Sequence, residues 1–429
     1  MYVIFPRVYK NNDVLHITHH TPPSHKHTPK NIVFEGWYWR ITLPGDAQSF
    51  ALIYSIEDPL GRTKFSGVGA QIMGPDDGYL LQYSKDTSPF WAARQSLALG
   101  CVFKEKPAPP NAPQLNKAAG MMAAPTFDAA VAEGFQASAT WHQGRIVRQE
   151  AGAAGALTST VPHCSWAFSV HPSSGWGASA GGRQRATAGW LASLPVFEPH
   201  WQVLMAHGEA TGWIDWGGQR YDFTSAPAYA EKNWGGGFPT RWCWIQCNSF
   251  ENSSGASPGT SVTAVGARRG LLQVPGFQED VGMIGIHHQG QFYELNVKDS
   301  EVWWDVSPWG RWEIRGENER LEAVVEATCD APGTPLRAPT ADQGLAPFCR
   351  DSFAGVVRIR VWDKTKSSLI MDVQSRGRSG AVEVGGGPWW SGWQAKAAMS
   401  EPVKRLLNLP VDVEALAGLV PPWLKPPGL

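Results

Sequence analysis

Ile32-Val33-Phe34-Glu35-Gly36-Trp37-Tyr38-Trp39-Arg40-Ile41-Thr42-Leu43 reads as a β-strand: β-branched and aromatic residues alternate with near period two. Alternation puts Glu35, Trp37, Trp39 and Ile41 on one surface, so a carboxylate shares a face with two indoles. Working outward, the same signature recurs at Ser49–Glu57, Leu97–Lys104, Trp201–Ala206, Arg241–Phe250, Gln291–Val297, Leu321–Thr328 and Val356–Trp362, each bounded by Gly, Pro, Asp or Ser. Helical periodicity is scarce; only Pro402–Leu409 and a stretch near Asp128 suggest helices. The expected fold class is all-β, with few short helices.

Composition agrees. The chain has 22 Trp, 46 Gly and 33 Pro against a charged fraction of 17%, which fits many short strands joined by turns. A formal net charge of −1 with scattered basic residues leaves no footprint for a phosphate backbone, so nucleic acid is not an expected partner. The 6 cysteines lie far apart except Cys243 and Cys247, which predicts reduced thiols and an intracellular or organellar setting. Both point to the face opposite Trp242 and Trp244 and read as inert core residues, and no spacing suits a zinc site. No run approaches the roughly 20 apolar residues that span a bilayer. The first 30 residues lack both a secretory apolar stretch and the Arg/Ser richness of a transit peptide.

A faint echo links Glu35-Gly36-Trp37-Tyr38-Trp39 with Arg241-Trp242-Cys243-Trp244-Ile245-Gln246. Each Trp-x-Trp strand can open a β unit, which gives an N-terminal extension (1–30), a first β domain (31–236), a second (237–400) and a tail (401–429). The two domains meet at Gly235–Gly237, where a glycine run permits a sharp turn. Ala/Pro-rich 107–125 and Ala/Gly-rich 149–159 read as loop insertions in the first domain, and 253–260 as another loose stretch.

Several segments carry candidate chemistry. Glu35 on an interior face would be desolvated and become a general acid, or would instead pair with a cation. Val196-Phe197-Glu198-Pro199-His200-Trp201-Gln202 places Glu198, His200 and Gln202 on one side, and Pro199 suggests an edge or a bulge. Tyr229-Ala230-Glu231-Lys232-Asn233-Trp234 gathers an acid, a base, an amide and an indole before the glycine run, where pockets favour a domain junction. Trp242, Trp244, Gln246 and Asn248 share a face, suited to a mostly apolar ligand with a polar head. No dinucleotide fingerprint, Walker loop, zinc helix or nucleophile elbow is found, so cofactor-independent chemistry or plain binding is expected.

Nine segments in collinear order carry a family resemblance: Phe34-Glu35-Gly36-Trp37-Tyr38, Tyr54-Ser55-Ile56-Glu57-Asp58-Pro59, Gly69-Ala70-Gln71-Ile72-Met73-Gly74-Pro75, Pro195-Val196-Phe197-Glu198-Pro199-His200-Trp201-Gln202, Ala210-Thr211-Gly212-Trp213-Ile214, Glu231-Lys232-Asn233-Trp234-Gly235-Gly236, Trp244-Ile245-Gln246-Cys247-Asn248, Pro335-Leu336-Arg337-Ala338-Pro339-Thr340 and Glu383-Val384-Gly385-Gly386-Gly387-Pro388-Trp389. Together they resemble the tocopherol cyclase family of plants, algae and cyanobacteria. The resemblance implies two lipocalin-like antiparallel barrels or sandwiches, closure of a phytyl benzoquinol to a chromanol without a redox cofactor, and a plastid setting at plastoglobules, with peripheral association to a lipid droplet or membrane surface.

Such a ring closure protonates the prenyl alkene and lets the quinol oxygen capture the tertiary cation. It therefore needs a neutral acid, an aromatic wall and a group that holds the phenol. Candidate acids are Glu35, Glu231, Glu198 and Asp58; candidate binding residues are Trp37, Trp234 and Trp244 around the cation, and His200, Asn233, Gln246 and Asn248 on the quinol. Two other readings fit the same composition: a non-catalytic lipid or quinone carrier, and carbohydrate binding on exposed indoles.

Overall fold

A computed structural model describes residues 8–11, 14–17, 33–43, 45, 48–93, 96–107, 120–149, 159–177, 184–187, 199–252, 255–270, 278–387, 391–399, 401 and 405. The expected insertions at 107–125 and 149–159 and the helix at Pro402–Leu409 lie largely outside these residues, as does Glu198. The stretch near Asp128 is helical, as Ala124–Ala130.

Two antiparallel sheets dominate. The first has 11 strands, running from edge to edge as Gly78–Ser84, Gly67–Gly74, Gln48–Glu57, Phe34–Leu43, Gln219–Gly235, His200–Trp216, His163–Ser174, Trp141–Val147, Val131–Ser138, Ala98–Glu105 and Phe90–Ala92. The second has 14 strands, with a main path Gln291–Asn296, Gln278–His288, Ser261–Gly270, Arg241–Cys247, Gly380–Gly385, Gly344–Asp363, Leu321–Thr328, Arg311–Glu317, Glu301–Val306 and Trp393–Lys396. Both curl back on themselves. In the first, Val147 N donates to Gln82 Oε1 (3.1 Å) and Thr160 N to Tyr79 O (2.7 Å); in the second, Ala398 N donates to Asp280 O (2.8 Å).

Pro199 does not mark an edge. His200–Trp216 is an inner strand, flanked on both sides, and Pro199 precedes its first residue, where the absent N–H removes no ladder bond. The irregular register falls further along, between Val203 and Gly208 and again between Ala210 and Gly212.

Alternation explains the packing. In Phe34–Leu43, Trp37, Trp39, Ile41 and Leu43 enter the curl of the first sheet among Phe50, Leu52 and Ile72, while Tyr38 faces the second sheet with Tyr229, Trp242 and Trp244. The strand is thus buried on both faces. The second sheet fills its own curl with Cys243, Ile245, Cys247, Ile284, Trp304 and Trp312. Both curls are packed with side chains, so the hollow expected inside a barrel lies elsewhere, between the two sheets.

Polar clamps hold the sheets together. Arg40 Nη1 donates to Gln246 Oε1 (2.6 Å) and Arg40 Nη2 to Ser379 O (2.7 Å) and Ser49 Oγ (2.9 Å). Asp77 accepts from Ser352 Oγ (2.6 Å) and Phe353 N (3.0 Å). Such groups exchange water for fixed partners, so each is worth little in net stability but is costly to orphan.

Candidate active site

The Gln219–Gly235 strand leads through a short turn into Arg241–Cys247, and the space between the two sheets beside that junction is a cavity of about 1390 Å3, mouth included. The first sheet contributes Gly36, Tyr38, Ile53, Gln71, His200, Trp201, Glu231 and Asn233; the second contributes Trp242, Trp244, Val265, Ala267, Val281, Met283, Leu336, Ala338, Asp351 and Glu383. Most of this wall is apolar or aromatic. Three carboxyl groups, Glu231, Asp351 and Glu383, and two cations, Arg269 and Arg337, interrupt it.

Glu231 reaches the cavity because residues 229, 231 and 233 of its strand face the second sheet while Lys232 and Trp234 face inward. Its Oε2 accepts from Tyr229 Oη (2.7 Å) and Trp201 Nε1 (2.9 Å), and its Oε1 from Asn233 Nδ2 (3.2 Å). Burial raises its carboxyl above the usual range, against the pull of these three donors.

Asp351 and Glu383 are direct register partners on neighbouring strands, and Trp244 pairs Glu383 from the other side. Two like charges opposite each other in a ladder are unfavourable, and here Asp351 is buried and Glu383 partly so. Burial, and then the charge of Glu383, pushes Asp351 well up; burial pushes Glu383 up to about 7. The pair therefore retains a proton at neutral pH, as two crowded carboxyls do when they cannot both ionise. Trp242 Nε1 donates to Glu383 Oε1, and the indole can lie there because its strand partner is Gly385, where a Cβ would stand 2.0 Å from the indole ring.

Among the described residues, polar atoms around the cavity without a hydrogen-bond partner include Tyr38 Oη, Trp37 Nε1, Trp244 Nε1 and Asp351 Oδ1. Tyr38 stands edge-on to both Tyr229 (6.2 Å) and Trp244 (5.8 Å), so it joins the two walls. Unpaired buried polar atoms on an apolar wall are what a ligand with a small polar head would satisfy.

Cys349 Sγ lies with the Asp351 and Glu383 oxygens in a group within 4.8 Å, close enough for a metal ion to be considered. Without a metal, burial drives the thiol well above its usual range and leaves it neutral beside the carboxyl pair.

The other candidates are distributed unevenly. His200 and Asn233 line the cavity, and Trp37 and Trp244 border it. Trp234 lies behind, stacked on His200 at 5.1 Å. Glu35 is buried on the inward face and bonded to Lys232 Nζ at 2.8 Å, with the ammonium over the rings of Trp37 (4.8 Å) and Trp234 (5.5 Å). Its desolvation is thus answered by a cation. Asp58 is a turn residue at positive φ whose Oδ2 accepts from Thr63 N (2.5 Å), away from the cavity. Gln246 is occupied by Arg40, and Asn248 donates to Ala228 O (2.9 Å); both join the sheets rather than line the hollow. Sequence reading passed over Tyr38, Asp351 and Glu383. Glu383 stood at the head of a quoted motif, whereas Asp351 carried no local signal, because its partner strand lies some 30 residues away.

Comparison with known proteins follows the same lines. Residues 31–386 match the family described as tocopherol cyclase-like. A protein of Oryza sativa subsp. japonica named "Probable tocopherol cyclase, chloroplastic" is 42% identical over 416 residues, covering 92% of this chain and 84% of that one. The Zea mays "Tocopherol cyclase, chloroplastic" is 42% identical over 414 residues, covering 92% and 83%. The segment matched to the family holds both sheets up to Glu383, and with it all three cavity carboxyls, so the chain belongs to the tocopherol cyclase-like family.

Proposed function

We propose that this chain is a tocopherol cyclase, an enzyme that converts a prenylated benzoquinol to a chromanol by acid catalysis, and that it works in the plastid, as the names of its relatives indicate for them. One observation carries the reading: a carboxyl pair that keeps a proton at neutral pH sits in an apolar cavity walled by Trp242, Trp244 and Tyr38.

In this reading the Asp351–Glu383 pair gives its proton to the alkene. An O–H bond breaks, a C–H bond forms, and the positive charge collects on the tertiary carbon. Facing indoles stabilise that cation by their ring electrons and keep water from adding to it. The phenolic oxygen closes the ring and sheds its proton to a base at the cavity wall, and the acid pair regains a proton before the next turnover. Product and substrate are isomers, and no electrons change hands. Tyr38 Oη and His200 hold the quinol oxygens, and Val265, Met283 and Leu336 accompany the tail.

The test is to incubate the purified full-length protein with the quinol under reducing conditions, without added cofactor, and to look for the chromanol. The second reading, a non-catalytic quinone carrier, uses the same cavity and is favoured by its unpaired polar atoms alone. A carrier returns the quinol unchanged.

A further inference from the structure

The two walls of the cavity carry carboxyl groups of opposite character. On the second sheet, Asp351 and Glu383 stand opposite each other in register and crowd each other, and Asp351 Oδ1 is unpartnered. On the first sheet, Glu231 is surrounded by donors: two on Oε2 from Tyr229 and Trp201, and one longer contact on Oε1 from Asn233 at 3.2 Å. Burial raises the Glu231 carboxyl as it does the pair's, but donors stabilise the charged form, and these three set Glu231 apart from the crowded pair as the group better suited to hold a negative charge. Oε1, with a single long donor, keeps room for another at a cavity wall, where a phenolic O–H can reach it.

We infer that Glu231 is a second catalytic carboxyl: it binds the quinol's phenolic O–H through Oε1 and takes that proton as the oxygen closes on the cation, while the Asp351–Glu383 pair acts as the alkene's acid. The inference rests on the cyclase reading above. The balance is complete. The pair loses one proton to carbon, Glu231 gains one from oxygen, and a proton passing back through solvent on product release restores both. Charge follows the same logic: Glu231 is close enough to influence Glu383, so protonating Glu231 relieves the repulsion that builds when the pair gives up its proton. The arrangement also places an anion across the cavity from the acid, where it stabilises the cation between them.

The experiment compares wild type, Glu231→Gln and Asp351→Asn with the prenylated quinol in heavy water, measuring chromanol, hydrated or isomerised tail products, and deuterium in recovered quinol. Loss of a general base costs about 10² to 10⁴ in rate. Glu231→Gln is expected to lose ring closure by such a factor yet still put deuterium into the tail or yield a tertiary alcohol, because the cation forms but is not captured by the phenol. Asp351→Asn is expected to lose both. Asn233→Ala, which removes only the donor on Oε1, is expected to move the acidic limb of kcat/KM to higher pH. The inference is overturned if Glu231→Gln closes the ring at the wild-type rate, or if it loses closure and deuteration together. Should Glu231→Gln not fold, an unshifted acidic limb in Asn233→Ala overturns the inference. A wild-type protein that makes no chromanol would overturn the cyclase reading itself, a separate result.

Discussion

Replacing either member of the acid pair, by Asp351→Asn or Glu383→Gln, should slow chromanol formation by about 10² to 10⁴, which is roughly 3–5 kcal/mol on the barrier. Because the two groups face each other in register and share a proton, they act as a unit. The double variant is therefore expected to be no slower than the worse single one. The pH profile makes the same point. Burial raises both members and the pair titrates jointly, so ring closure is expected to fall on the alkaline side as the pair gives up the proton it shares, and on the acidic side as Glu231 takes one up. The amide of Glu383→Gln still accepts from Trp242, so the wall is preserved and the loss of rate reports on the proton rather than on packing. Steady-state rates from pH 5 to 9, with circular dichroism to check folding, decide the matter. Wild-type rates with an unchanged profile in both variants, or independent multiplicative losses in the double, would refute the reasoning.

Other consequences concern stability. Lys232→Met strands Glu35 in the inward core and should cost about 3–5 kcal/mol, measured by denaturant unfolding; Lys232→Met with Glu35→Leu should recover much of it. Glu57 is fully buried with both oxygens unpartnered and is pushed up to about 8. Its folded form holds the proton more tightly than the unfolded chain, so it lowers stability as pH rises from about 4.5 to about 8, on the order of 4–5 kcal/mol in full. Glu57→Gln should flatten that decline, with little change at pH 4. His142 behaves oppositely: stacked on Phe168 with both nitrogens unpartnered, it is lowered to about 3, so stability is lost as pH falls from about 6.5 toward 3. His142→Phe should gain roughly 3 kcal/mol at pH 4, read by thermal unfolding. Gly385→Ala drives a methyl into the Trp242 indole and should cut turnover more than it lowers Tm.

Much of the architecture was legible because strands advertise themselves by period two. Leu321–Thr328 appears with the bounds expected from sequence, and Phe34–Leu43 and Gln48–Glu57 within a residue or two. The odd-numbered face of Phe34–Leu43 was also correctly grouped. Which face meets the cavity was not legible, since both faces are buried and apolar, and periodicity says nothing about which neighbour covers each one. Glu35 was read on the desolvated face, but its partner Lys232 lies across a strand pairing of 197 residues' separation. The Glu231 segment was visible because an acid, an amide and an indole stood together before a glycine run. Asp351 was not, because a dyad made by register between two separate strands has no trace in local spacing. Gln246 and Asn248 were read as groups for a ligand's polar head, but Gln246 Oε1 accepts from Arg40 and Asn248 donates to the Ala228 carbonyl.

A structure of the protein with the chromanol product bound puts the account to its most direct test. The chromanol should lie between the two sheets, its ring oxygen toward Glu231, its newly protonated methylene against Asp351 and Glu383, and its tail along Val265, Met283 and Leu336. A chromanol lodged within the curl of either sheet, or on the outer surface away from Trp242 and Trp244, would contradict it.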